Sequence, residues 1–140
     1  MGIHIIGEAD SIVQLPFISS DKHPLYKKHG YHTGIDLTAS DVHSYASGVV
    51  ISIGRSEALY AVTVQYDSRI SLRYLHLKSV CVSIGDILYP NMKIGTADQY
   101  VHFEYVSVSK DNSIWPVRIG TMTYYKHDPE LVLNGSVKIK

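Results

Sequence analysis

Apolar residues in this chain recur with a period of two, in short runs separated by turn-forming residues. From Tyr60 to Tyr66 the alternation places Tyr60, Val62, Val64 and Tyr66 on one face of a strand. Asp67-Ser68-Arg69 then reads as a hairpin turn into a second strand over Ser71 to Leu77. Val49 to Ile53 reads as a strand opened by Gly48 and closed by Gly54. Val82-Ser83-Ile84 meets a turn at Gly85-Asp86, and Ile87-Leu88-Tyr89 stops at Pro90. The densest β-prone run is Val101 to Val106. The first 30 residues, with Pro16 and Pro24, predict loop with one short strand. Residues 109 to 123 predict irregular chain around a strand at Val117-Arg118-Ile119. Near the end, Asp128 suits the N-cap and Pro129 the first position of a short helix, which Asn134-Gly135 would stop. With no repeat and no Pro/Gly/Ser linker, the pattern predicts an all-β class: one small antiparallel β-sheet or barrel-like domain over residues 1–140.

Composition narrows the function. The 140 residues are 45% hydrophobic and 19% charged, values of a folded chain. Thirteen basic residues balance thirteen acidic ones, so no nucleic-acid footprint is expected. No stretch approaches the roughly 20 apolar residues of a membrane span, so membrane insertion is not expected either. Met1 to Asp10 lacks a basic n-region and has a broken apolar run, unlike a Sec-type signal peptide; synthesis in the cytoplasm is the expectation. The lone cysteine, Cys81, sits between Val80 and Val82 and is predicted to be buried and chemically idle.

Three segments carry candidate chemistry: His32-Thr33-Gly34-Ile35-Asp36, Tyr74-Leu75-His76-Leu77 and Tyr100-Val101-His102-Phe103-Glu104. Two histidine nitrogens and one carboxylate suit zinc, and three protein ligands leave a fourth position for water. In a regular strand, residues four apart lie about 13 Å apart, so Gly34 is expected to supply the bend that brings His32 and Asp36 together. Period two puts Tyr100, His102 and Glu104 on one face, with Val101, Phe103 and Tyr105 on the other; likewise Tyr74 and His76 oppose Leu75 and Leu77. Glu104 reads as a surface or supporting residue rather than a ligand. His4, His23, His29, His43 and His127 lie in polar or loop contexts and receive no role, His29 being the nearest rival to His32.

Together, the ordered motifs resemble the M23 (LytM/lysostaphin-like) peptidoglycan endopeptidases over roughly residues 30 to 134. His32-Thr33-Gly34-Ile35-Asp36 is similar to the family's HxGxD, and Tyr74-Leu75-His76-Leu77 to its YxHL. Val82 to Asp86 matches its V-x-x-G-D turn, and His102-Phe103-Glu104 the end of its HLHFE. Ala46 to Val50 and the Asp128-Pro129 finish follow the same order. The resemblance implies an antiparallel sheet with a groove holding one zinc ion. By position it implies His32, Asp36 and His102 as metal ligands and His76 as a catalytic histidine. It implies the peptides of bacterial peptidoglycan as substrate. Tyr100 stands where the family has a second catalytic histidine. A phenol, with a pKa near 10, is a poor base at neutral pH but can donate a hydrogen bond to an oxyanion. The segment Gly95 to Gln99 is short where the family carries a glycine-rich loop. The alternative expectation is a catalytically degenerate module that binds cell wall or a partner, as a phage-tail or secretion-machine component. A monomer is expected. Without a leader, action on the wall would follow release by lysis or carriage on a phage particle.

Overall fold

The computed structural model describes residues 13–133. The segment read for a leader, Met1 to Asp10, and the Asn134-Gly135 helix stop lie outside the described residues. The alternating runs form strands as expected: β1 (Val13–Leu15), β2 (Ile35–Thr38), β3 (Asp41–His43), β4 (Gly48–Ser56), β5 (Leu59–Gln65), β6 (Ile70–Val80), β7 (Ile87–Leu88), β8 (Lys93–Ser107), β9 (Pro116–Ile119) and β10 (Met122–His127). One-turn helices α1 (Tyr26–His29) and α2 (Glu130–Leu133) complete the described residues. Every strand pair is antiparallel.

The long strand β8 is the spine. β6 pairs along one of its edges, from Ile70 opposite Ser107 to Val80 opposite Gly95. The other edge takes β10, β2 and β3 in turn, at Ser107 to Tyr105, Phe103 to Tyr100 and Thr96 to Lys93. Beyond β6 the sheet continues through β5 and β4 to β7. The predicted face of β5 holds: Val62, Val64 and Tyr66 are buried, packed with Leu72, Tyr74, Leu77, Val101 and Phe103. The buried phenols are satisfied: Tyr74 Oη accepts the Tyr45 N–H at 2.9 Å and lies 2.7 Å from Tyr66 Oη.

The turns behave as their residues require. Asp67 Oδ1 accepts the N–H groups of Arg69 (2.7 Å) and Ile70 (2.8 Å), closing the β5–β6 hairpin. Asp128 Oδ1 accepts the Glu130 N–H at 3.0 Å, as expected of an N-cap with Pro129 following it at the first position of the turn.

Several expectations fail, each for a reason of tertiary pairing. Gly54 does not close β4, because β5 continues the ladder to Ser56 opposite Leu59. Val82 to Ile84 is not a strand. Cys81 is exposed, not buried. Val80 and Val82 both pack against the core, and the alternation turns Cys81 outward between them. Strands β2, β3 and β10 and helix α1 come from stretches too short or too polar to read alone. The first half of β8, from Lys93 through Thr96, is a strand because β6 and β3 hydrogen-bond its two edges.

A candidate metal centre on the spine strand

The site is built by register. Asp36 lies directly opposite His102 in the β2–β8 pair, and cross-strand partners hold their Cβ atoms about 5 Å apart. His32 sits outside β2, in an isolated bridge with Ile18: each residue's N–H donates to the other's carbonyl at 3.0 Å. The bend at Thr33 and Gly34 brings its ring back over Asp36, with Nε2 3.3 Å from Asp36 Oδ1. One nitrogen of His32, one of His102 and one carboxylate oxygen of Asp36 all lie within 4.8 Å of one another. The three residues named from the sequence are therefore brought together, and His29 is not; it is exposed in α1.

Gly34 is needed, but for a different reason from the one expected. Its backbone is not among the positive-φ glycines. A Cβ there would lie 2.9 Å from Glu104 Cγ, 3.1 Å from His102 Nε2, and closer still to the Phe103 carbonyl oxygen. The residue gives space for the loop to lie against β8.

The remaining ring nitrogens fix how the donors point. His32 Nδ1 lies 2.8 Å from the carbonyl oxygen of Pro16. A carbonyl only accepts, so Nδ1 carries a hydrogen, and Nε2 is the nitrogen that His32 turns toward Asp36. On the other side, His102 Nε2–H donates to Glu104 Oε2 at 3.1 Å, leaving Nδ1 facing Asp36 Oδ1 at 2.9 Å. Glu104 is 1% exposed and is held from four directions. It accepts from the Thr33 hydroxyl (2.6 Å), Arg73 Nη1 (2.6 Å) and Lys126 Nζ (3.2 Å) besides His102. It is a buried supporting carboxylate, as one of the two sequence readings had it, and not a surface residue.

Charge follows from this geometry. Burial opposes ionisation of Glu104, but the His102 hydrogen bond and the Lys126 and Arg73 charges prevail and bring its pKa down to about 2. Burial likewise opposes the charge on Asp36, and the hydrogen bonds from His102 and His32 overcome it, holding the carboxyl well below its ordinary range. His102 is buried, which disfavours its cation, yet Asp36 and Glu104 on its two nitrogens raise its pKa. In the protein alone, a proton on Nδ1 thus occupies the line between His102 and Asp36. A divalent cation held by His32 Nε2, His102 Nδ1 and Asp36 would take that place and release the proton. Two imidazoles with satisfied second nitrogens and one carboxylate fit a borderline-soft ion of tetrahedral preference with one position left open.

His76 does not sit as predicted. Tyr74 and Leu77, not Leu75 and Leu77, face the core, because the β6–β8 register shifts there, Leu75 lying opposite His102 and Leu77 opposite Ala97, and His76 takes φ +66°. The shift frees His76 from alternation and aims it at the centre. Its ring stacks on His102 with centroids 5.4 Å apart and meets Tyr100 edge-on at 5.6 Å. Its Nδ1 is buried without a hydrogen-bond partner among the described residues. Burial, then the nearby His102, lower its pKa, so it is neutral at pH 7.

The model of peptidase family M23 matches residues 30–116, more than half of the chain. The chain belongs to peptidase family M23. A curated relative, an uncharacterized metalloprotease of Buchnera aphidicola subsp. Baizongia pistaciae (strain Bp), is 28% identical over 107 residues, covering 66% of this chain. The match spans only 28% of that relative's length. Among solved structures, the antimicrobial peptidase lysostaphin from Staphylococcus simulans superposes with a TM-score of 0.65 at 20% identity, covering 97% of this chain and 56% of that one. A chain of the SpoIIIAH–SpoIIQ complex gives 0.66 at 22% identity, covering 91% and 96%. These likenesses establish the fold: this M23 chain is an antiparallel, lysostaphin-like sheet.

Sequence reasoning missed Pro16, Thr33, Arg73 and Lys126. Arg73 lies directly opposite Glu104, a pairing that exists only once β6 and β8 are in register. Pro16 acts through its backbone carbonyl, which no side-chain motif reports.

Proposed function

We propose that the chain is a zinc-dependent endopeptidase acting on peptide bonds in peptidoglycan cross-bridges or stem peptides. The observation that carries this is the convergence of His32, Asp36 and His102 with both spare histidine nitrogens already hydrogen-bonded. His32 Nε2, His102 Nδ1 and Asp36 would hold the ion. When bound, zinc supplies Lewis acidity at its open fourth position. The protein's own residues do the rest. Pro16 and Glu104 hold the two imidazoles in the tautomers required. His76, neutral at pH 7, accepts a proton from the attacking water and returns it to the leaving amine. Tyr100, half-buried against His76, donates its phenolic hydrogen to the oxyanion of the tetrahedral intermediate. The test is release of new amino groups from purified peptidoglycan by zinc-loaded protein, against a chelated control. Release that survives chelation or His102→Ala overturns the mechanism.

A second reading, a non-catalytic M23 module that binds wall peptide or a partner protein, is favoured by Tyr100 alone. The SpoIIIAH–SpoIIQ complex supports it as a precedent for this fold within a protein complex. Stoichiometric zinc with no amino-group release across several wall types, unrestored by Tyr100→His, would move the assignment there.

A further inference from the structure

Two hollows meet at His76. One, of about 520 Å3, is lined on its outer wall by the β4–β5 turn, with Arg55, Glu57 and Leu59, and on its floor by Arg73, Leu75 and His76. The other, of about 270 Å3, is lined by Leu59, His76, Asp98, Gln99 and Tyr100. His76 and Leu59 belong to both, so a single groove passes over the reacting histidine. Its two arms differ in charge.

In the first arm Arg55 is held in place: Nε donates to the Glu57 carbonyl at 3.2 Å, and the guanidinium carbon lies 5.3 Å from the Tyr60 ring centroid. Its terminal nitrogens make no hydrogen bond or ion pair among the described residues. Arg73, on the same floor, is committed through Nη1 to Glu104, but its Nε is buried without a partner. Glu57 lies on the same turn and subtracts from the positive field without pairing to Arg55. In the second arm Asp98 is exposed and unpaired among the described residues. The β6–β8 ladder skips from His102 to Ala97, which leaves the chain between them free of β6 and displays Asp98 beside Tyr100. Charges flanking a cleft select partners by complementarity more than they add affinity.

We propose that this groove selects peptides carrying a free carboxylate on one side of His76 and a free ammonium on the other, over uncharged peptide bridges. Arg55 receives the carboxylate and Asp98 the ammonium. The inference rests on the peptidase reading only for what happens at His76; the charge selection is a property of the groove.

The probes are two end-capped hexapeptides, lysyl-tetraglycyl-aspartate and its reverse aspartyl-tetraglycyl-lysine, with capped hexaglycine as the uncharged reference. Binding to the zinc-loaded full chain is measured by calorimetry at low and at high salt. One of the two orders is expected to bind about 3- to 10-fold more tightly than the reverse and than hexaglycine, the range for two solvent-edged ion pairs. The preference shrinks at high salt, grows in Glu57→Gln, and reverses in the double exchange Arg55→Asp with Asp98→Lys. Three peptides bound within twofold of one another, or an order unchanged by the double exchange, overturns the proposal. Wall cleavage is scored separately. Order preference without cleavage overturns the peptidase reading alone; cleavage without order preference overturns the charge selection alone.

Discussion

Glu104→Gln is the sharpest perturbation of the centre, because it keeps shape and removes one charge. The carboxylate is 1% exposed and accepts from His102, Thr33, Arg73 and Lys126, whose charged side chains are themselves mostly buried at 17% and 18% exposure. Two losses follow. For stability, the drop from an ordinary 4.5 to about 2 corresponds to about 3 kcal/mol, at about 1.36 kcal/mol per pH unit. This is the upper bound for Glu104→Gln, since the amide oxygen retains part of the network. For the metal, a neutral amide accepts the His102 Nε2–H less strongly than an anion does and lowers the basicity of Nδ1. Losing such a supporting partner costs about 10- to 100-fold in affinity. The assay is chelator-competition titration of zinc at pH 7.5 on protein shown to be folded by its thermal transition. Thr33→Val is the partner variant: it removes one neutral hydrogen bond to the same carboxylate and should cost less. A folded Glu104→Gln protein that binds zinc within about threefold of the parent would refute the claim that this carboxylate orients His102.

Acid should dissect the same network. Because Glu104 has a depressed pKa, its contribution to stability is complete above about pH 4.5 and is lost as the pH falls through about 2. Denaturant unfolding of the metal-free protein should steepen its pH dependence there, and the Glu104→Gln variant should lack that step. Zinc uptake should release a proton and weaken on acidification, because His102 must lose the Nδ1 hydrogen that faces Asp36, which the raised pKa of His102 helps to hold; uptake with no proton release, by calorimetry in two buffers, contradicts that arrangement. Gly34→Ala should lose about 1–3 kcal/mol or more through the clash with Phe103 and Glu104, and zinc stoichiometry should fall with it. His76→Ala should lower kcat about 100- to 10,000-fold, and Tyr100→Phe about 100-fold, with zinc affinity unchanged in both. An unaffected kcat in Tyr100→Phe removes the phenol from the mechanism.

The sequence by itself determined the class of fold, since Tyr60 to Tyr66, Ser71 to Leu77 and Val101 to Val106 carry a period that only a one-sided buried strand requires. It also named His32, Asp36 and His102, because their donor types survive in ordered motifs whatever the packing. Pairing decided the rest. Period two predicted Tyr74 and His76 on one face, and it failed there because a register shift is a property of two paired strands, not of one. Cys81 read as buried from its neighbours, yet those neighbours took the inward positions and left it outside. β8 extends to Lys93 through polar residues because β6 and β3 supply hydrogen-bond partners on both edges. Arg73, Lys126 and the Pro16 carbonyl reach the centre from strands and loops far apart in the chain. Local sequence encodes what a segment prefers to bury, whereas a metal centre depends on which atoms from distant segments converge, and only the assembled sheet fixes that.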